Sequence, residues 1–450
     1  MNYLLIGYGI VGSNVVDYLD GTVTVVESNP LSSYPARVEH VVNERLTTDN
    51  FALIFQTYTQ PGDVIIDTAV ELDTYELCCW AHQHGRHYIN TVCDKWLPTT
   101  LELTNNYRNI NNILYQYIQQ PLEAVVATRT GPTCLMGHGA NIGMVNHFFK
   151  MAVLERAQAN GVPVAAQLQE VSEVYILEKD TLVFQDGYIP DEGVFYNTWN
   201  ILEFIMESSA LADYPAGGHI HRSVQPEIRD VFLGDICLHG RVVSHEETYT
   251  LDAYLQSVGV KANKIQFLYE CSPIGEMSRI KYPFGSTYTA RAATTELKPH
   301  AGYDLVGTLV TFRDGSNWFY GYRMMQATVP DHARTNATAW YVSAGVLAGI
   351  SLIQNNPGLG INFPEHLPFA LNEAAVAAFI ALNPADGLIS KPIDHLFISP
   401  EYPTYEVFNL YQQGKAMKTP YPDAGPPERG VALSSNGEKE SRNGLAPLSV

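Results

Sequence analysis

Gly7, Gly9 and Gly12 stand in a G-x-G-x-x-G spacing, and Glu27 follows the first of them by twenty residues. Glycines so spaced serve one kind of chemistry. The first permits a tight turn, the second lets a pyrophosphate approach the backbone, and the third lets the following helix close onto the sheet. A helix starting near Val11 would add unpaired N–H groups and the positive end of its dipole, which suit a diphosphate. An acid at position 27 can accept hydrogen bonds from both ribose hydroxyls of an adenosine and would repel a 2′-phosphate. The expected cofactor is therefore NAD and not NADP. Asp67 and Asp94 fall at or just past the ends of apolar runs, the edge of a parallel sheet that faces a ligand crevice. Taken singly, each would serve equally well as a helix cap.

Alternating strands and helices must hold these residues, and the chain has the pattern for them. Leu4 to Ile6, Val23 to Val26, Val38 to Val42, 63–70 and 87–92 read as strands, with helices over 49–56 and 73–84, the second ended by Gly85. After Asn105 comes a polar helical stretch. A strand then enters the glycine-rich turn of "GPTCLMGHGANIGMV", and a helix leaves from about Ile142 with Asn141 near its start. Mixed strands and loops rich in Tyr, Glu and Gly follow to roughly residue 330, and 337–357 is a small-residue helix closed by Pro357. The predicted fold class is α/β, a Rossmann-type doubly wound parallel sheet with a second, mixed α+β substrate domain. The expected boundaries are 1–140 for the NAD domain with 336–385 returning to it, and 141–335 for the substrate domain. Residues 386–414 are expected as a C-terminal extension and 415–450 as a disordered tail.

With 450 residues, 46% of them hydrophobic, the chain can build two domains and a large core. No apolar run approaches the ~20 residues of a membrane helix, and no basic region precedes the first short strand, so a cytoplasmic protein is expected. Six cysteines show neither C-x-x-C nor zinc-ligand spacing, so reduced packing residues and no metal are expected. The 27 basic and 47 acidic side chains leave a net charge of −20, which argues against nucleic acid and anionic membranes as partners. It favours a cationic substrate, although solubility alone would account for such a charge.

Further landmarks are "DTAV" at 67, "INTVCDKW" at 89, "GANIGMV" at 139, "LEKDT" at 177, "NTWN" and "FIMES" within 197–208, "SHEETYTLDAYL" at 244 and "RTNATAWYVSAGVLAGI" at 334. Their types and order over about residues 1–365 resemble the bacterial-type homospermidine synthases, relatives of the saccharopine dehydrogenase group. The resemblance implies a transferase that keeps NAD as a recycled group, converting two putrescines to homospermidine and ammonia, and it implies a homodimer. Its implied site residues are Asn141, Glu178, Trp199 and Glu207, with Asp67 and Asp94 extending an acidic track. Carboxylates would hold the two ammonium groups, and the ring face of Trp199 would attract a cation. For the cofactor the expected contacts are Gly7, Gly9, Ile10, Val11, Gly12, Glu27, Asp67, Thr68, Thr91, Asn141 and Asn336. Two departures stand out. Asp94-Lys95-Trp96 places a shorter acid where the family has glutamate, and "QFLYECSP" at 266 has Gln266 and Glu270 at family histidine positions, Glu270 being a further candidate ammonium ligand. Two other readings are an NAD-dependent dehydrogenase of the saccharopine or carboxynorspermidine kind, which would need Arg or Lys for a substrate carboxylate, and an NAD-binding protein without catalysis.

Overall fold

The computed structural model describes residues 1–29, 33–96, 110–201, 203–204, 213–222, 227–282, 288–292, 301–333, 335–400 and 402–403, with side chains left undescribed at 110–116, 292 and 402–403. Its first sheet is built from short strands of almost unbroken apolar character, as strands covered on both faces must be. These are β1 (Tyr3–Ile6), β2 (Val23–Val26), β3 (Val38–Val42), β4 (Val64–Asp67), β5 (His87–Asn90) and β6 (Gly131–Leu135). A seventh strand, Leu359–Asn362, pairs with β6. In hydrogen-bonded order the sheet reads Leu359–Asn362, β6, β5, β4, β1, β2, β3, and every pairing is parallel. The chain crosses from β3 to β4 on the far side of β1, so the switch point lies between the carboxyl ends of β1 and β4, where a doubly wound sheet binds its ligand.

The helices of this half are α1 (Gly12–Val16), α2 (Phe51–Tyr58) and α3 (Thr74–Gln83). α3 starts where Asp73 accepts the Glu76 N–H at 3.0 Å, a side-chain cap. The polar stretch after Asn105 contains the helix Ile110–Ala127. The helix expected from Ile142 begins two residues later, at Met144, because Gly143 sits at φ +133 just before it.

A second sheet of nine strands is mixed. β7 (Val171–Asp180) lies at its middle, parallel to Lys264–Glu270 on one side and antiparallel to Tyr303–Phe312 on the other. Residues 388–392 and 396–398, within the segment expected as an extension, add strands to this same sheet. Residues 415–450 lie outside the described residues.

Register decides which side chains meet. β7 and Lys264–Glu270 pair Glu178 with Tyr269 and Lys179 with Glu270. Because strand side chains alternate, Glu178 and Tyr269 share one face while Lys179 and Glu270 share the other.

Contrary to the expectation that no apolar run approaches a membrane span, the helix Ala337–Asn355 has that length and apolarity, yet most of it is buried within the protein. A helix apolar all round is one enclosed by core. Gly345 lets it lie directly on the Gly139 backbone, since a Cβ there would collide with the Gly139 carbonyl. The returning segment thereby ties the first sheet to the loop that carries Asn141.

Candidate active site

At the switch point Gly7 adopts φ +82, and Thr68 Oγ1 donates to the Gly7 carbonyl at 2.9 Å, locking the turn after β1 to the end of β4. A Cβ on Gly12 would strike the Gly7 carbonyl and lie 2.7 Å from Thr68 Oγ1. A Cβ on Gly9 would meet nothing within 4 Å. The second glycine thus faces open space while the others are closely packed, the arrangement a pyrophosphate needs. Glu27 closes the far end, its carboxylate accepting the Tyr8 N–H and the Asn29 N–H, each at 2.8 Å. These residues fit NAD. The expected helix dipole is modest, because α1 has only five residues, and the cradle rests on backbone N–H groups of the turn. Ile10 and Val11 lie in this turn, the Ile10 carbonyl taking a bond from Asn14 and the Val11 carbonyl one from Ser343 at 3.4 Å. Thr91 follows β5 beside Gly139. We expect Glu27→Ala to weaken NAD binding and to narrow the preference over NADP, as read by titrating both cofactors. Tight NADP binding by the unmodified protein would contradict the assignment.

Beyond the cradle, carboxylates gather from both halves of the molecule. Asn141 Nδ2 donates to Glu178 Oε2 across the cleft. Glu178 is 5% exposed, and burial, with Asp180 and Glu247 nearby, pushes its pKa up to about 8. Burial likewise raises Glu203 to about 8, with Asp94, Glu246 and Glu71 adding repulsion. Asp94 reaches about 6 through burial, and Glu246 is raised by burial and by Glu247. His245 stands among them, its Nδ1 3.1 Å from Glu246 and bonded to Glu247. With Nδ1 engaged by two carboxylates, the ring orientation is fixed. Carboxylates so outnumber their cationic partners that the cleft favours a cation.

Trp199 flanks this group. Its indole N–H donates to Tyr269 Oη at 2.9 Å, fixing the ring plane, and Phe204 meets it edge-on with centroids 6.2 Å apart. Asp180 holds the loop in place by accepting from Thr198 Oγ1 at 2.7 Å and Thr338 Oγ1 at 3.1 Å.

Several expected residues are placed elsewhere. Glu270 lies on the face opposite Glu178, where Lys179 pairs with it at 2.9 Å and the His239 N–H donates to it at 2.7 Å, so it adds no carboxylate to the cleft. The alternation of a strand accounts for this correction, and it carries Gln266 to that same face. Asn336 is wholly buried and caps the Ala337–Asn355 helix, accepting from the Ala339 N–H and donating to the Thr198 carbonyl at 2.8 Å. It therefore steadies the Trp199 loop and does not line the cofactor cradle. Asp67 is 3% exposed and accepts from Tyr88 Oη at 2.9 Å and from the Ala69 N–H at 3.1 Å, supporting the loop after β4 from behind. Burial raises its pKa to about 7. Glu207 lies outside the described residues.

His245, Glu246, Glu247 and Glu203 were not singled out from the sequence. The signal was present: "SHEET" sets a histidine beside two acids, and Glu203 lies four residues before Glu207 in "EFIME", a helical repeat.

Comparison with known proteins agrees with this fold. Residues 3–135 match the family model described as saccharopine dehydrogenase NADP binding domain. A homospermidine synthase of Legionella pneumophila, solved in complex with NAD, superposes with a TM-score of 0.69 at 19% identity, covering 94% of this chain and 95% of that one. The fold is that of homospermidine synthase. The homospermidine synthase of Mesorhizobium japonicum is 24% identical over 366 residues, 71% of this chain and 74% of the relative. That of Blastochloris viridis is 23% identical over 428 residues, 81% and 87% of the two chains. The homospermidine synthase likeness thus spans both sheets, well beyond the nucleotide-binding half.

Trp199 offers a direct check on the cleft. A ring face beside a cation contributes ~0.5–2 kcal/mol, so Trp199→Ala should cut turnover several-fold while Trp199→Phe keeps part of it. Normal specific activity in the folded fraction of both variants would reduce Trp199 to a packing residue.

Proposed function

We propose that this protein makes homospermidine from two molecules of putrescine, releasing ammonia, with NAD held as a recycled group. The observation that carries the reading is the group of acids that act on one another's charges, Glu178, Glu203 and Glu246 from the second half and Glu71 from the first, beside Trp199. A diamine is doubly protonated at neutral pH, and those carboxylates supply both its counter-charges and a place for the proton that one amine must lose. NAD held by the Gly7, Gly9 and Gly12 turn and Glu27 would supply reversible hydride transfer, accepting hydride at an amine-bearing carbon and returning it to the product imine. The residues of this chain do the remainder. Glu178, steadied by Asn141, holds an ammonium end. The His245–Glu247 pair can take the proton from an attacking amine and return it to the departing ammonia. Trp199 offers its ring face to the iminium carbon as positive charge develops there. Burial between the two sheets limits water, which would otherwise hydrolyse the imine.

The dehydrogenase alternative needs cations for a substrate carboxylate. Arg241 pairs in register with Tyr269 and so shares the face of Glu178, but Glu276 attracts its charge and bonds Arg279 at 2.7 Å. The acidic excess therefore favours the diamine. The protein is proposed to act in the cytoplasm as a homodimer.

The test uses NAD well below the putrescine concentration. Ammonia should be released over many turnovers without lasting absorbance at the NADH wavelength. NADH accumulating one for one with putrescine consumed would make the protein a dehydrogenase.

A further inference from the structure

We propose that Glu71 binds the distal ammonium of the second, acceptor amine, and that Asp94 acts as the positioning residue that holds it. This rests on the diamine-coupling reading above. Asp94 occupies the place expected of an ammonium ligand, yet each of its oxygens takes a backbone N–H, one from Lys95 at 2.7 Å and the other from Glu71. The shorter acid is turned back onto the chain. Its effect falls on Glu71, whose φ of +64 makes it the one non-glycine residue in the left-handed region among the described residues. A side chain held there carries backbone strain that its surroundings must sustain, and such strain clusters at ligand clamps. Here Asp94 sustains it, fixing the direction in which Glu71 leaves the loop after β4.

The Glu71 carboxylate lies near enough to Asp94 and Glu203 to act on their charges. A cation of the chain already sits on the Glu71 carboxylate: Arg45 lies 2.6 Å away, its side chain 56% exposed against 19% for Glu71. An ion pair with one long, exposed partner is worth little in water and yields readily to a competing cation. Other charged groups face the same space. Glu203 and Glu246 approach from the second half with His245 behind them, while Lys95 is engaged at 3.0 Å by Asp73. Burial raises the Glu203 carboxyl and the charges of Asp94, Glu246 and Glu71 raise it further, so an ammonium arriving between Glu71 and Glu203 would relieve repulsion on both. Glu71 also follows β4 at the switch point, beside the nucleotide cradle.

The test is a competition between two acceptors for the same enzyme-bound imine. Putrescine yields homospermidine, and n-butylamine, which lacks the distal ammonium, yields N-butylputrescine. Because both products come from one intermediate, their ratio is independent of folding, active fraction and the first oxidation. Glu71→Gln should lower the homospermidine to N-butylputrescine ratio about tenfold, which corresponds to losing one charge-assisted contact. Arg45→Ala should raise the ratio about two- to threefold by removing the competing cation, and it serves as the second readout should Glu71→Gln fold poorly. A ratio unchanged in either folded variant would overturn the assignment. Absence of both products from the unmodified protein would instead remove the coupling reaction on which the assignment depends.

Discussion

Glu178→Gln is expected to lower kcat/KM for putrescine by two to three orders of magnitude while leaving the affinity for NAD within about twofold. The substitution keeps the shape and the bond to Asn141 but removes the charge that meets an ammonium group in a site only 5% exposed. Removing one partner of a buried, hydrogen-bonded charge pair typically costs ~3–5 kcal/mol, and each 1.36 kcal/mol is about a factor of ten in rate. Steady-state kinetics with an independent NAD titration separates the two effects. Loss of NAD binding with diamine use intact would place Glu178 in the cradle and not in the cleft. Since burial raises the wild-type carboxyl to about 8, the gap between variant and parent should widen from pH 6 to pH 9.

The pH dependence itself is the second large effect, and it has opposite signs with and without substrate. Burial raises Glu178 and Glu203 from 4.5 to about 8, Asp67 from 3.8 to about 7 and Asp94 from 3.8 to about 6. A carboxyl with a folded pKa above its unfolded one binds its proton more tightly in the folded chain. Stability from this source is therefore complete below about pH 4, and it falls as pH climbs through about 6 to 8. The Tm of the ligand-free protein should thus decline between pH 5 and pH 8.5. Putrescine, binding ionised Glu178 and Glu203, should restore Tm most strongly at pH 8.5, and its KM should rise as pH falls from 8.5 to 6. A ligand-free Tm that climbs over that range, or a KM that falls toward pH 6, would show that these carboxyls are ionised without a cation.

Much of the first half was legible in the sequence because its signals are local. Val23 to Val26 and Val38 to Val42 are strands at those very bounds, and the spacing of Gly7, Gly9, Gly12 and Glu27 has one mechanical reading that the packing around Gly12 and the open side of Gly9 repeat. The acidic cleft was less legible, since its members come from distant strands and loops that only the topology brings together. Glu270 shows why: its acidity and its neighbourhood in a familiar motif suggested a ligand, but a one-residue step along a strand reverses the face, and only the register with β7 reveals the pairing to Lys179. Asn336 shows a second limit. An asparagine ahead of an apolar helix is as much a capping residue as a cofactor contact, and its bond to Ala339 selects the cap. His245 and Glu247 were hidden differently, within a segment that served only as a landmark of the family resemblance, with no role read for the acid–base pair at its start.

The most direct measurement uses putrescine deuterated at both aminomethylene carbons, unlabelled NAD in catalytic amount, and mass spectrometry of the products. If the hydrogen taken from one diamine returns to the product of the second, homospermidine and ammonia appear and the homospermidine retains every deuterium. Homospermidine lacking one deuterium, or an aldehyde or cyclic imine accompanied by deuterated NADH in equal amount, would contradict the account.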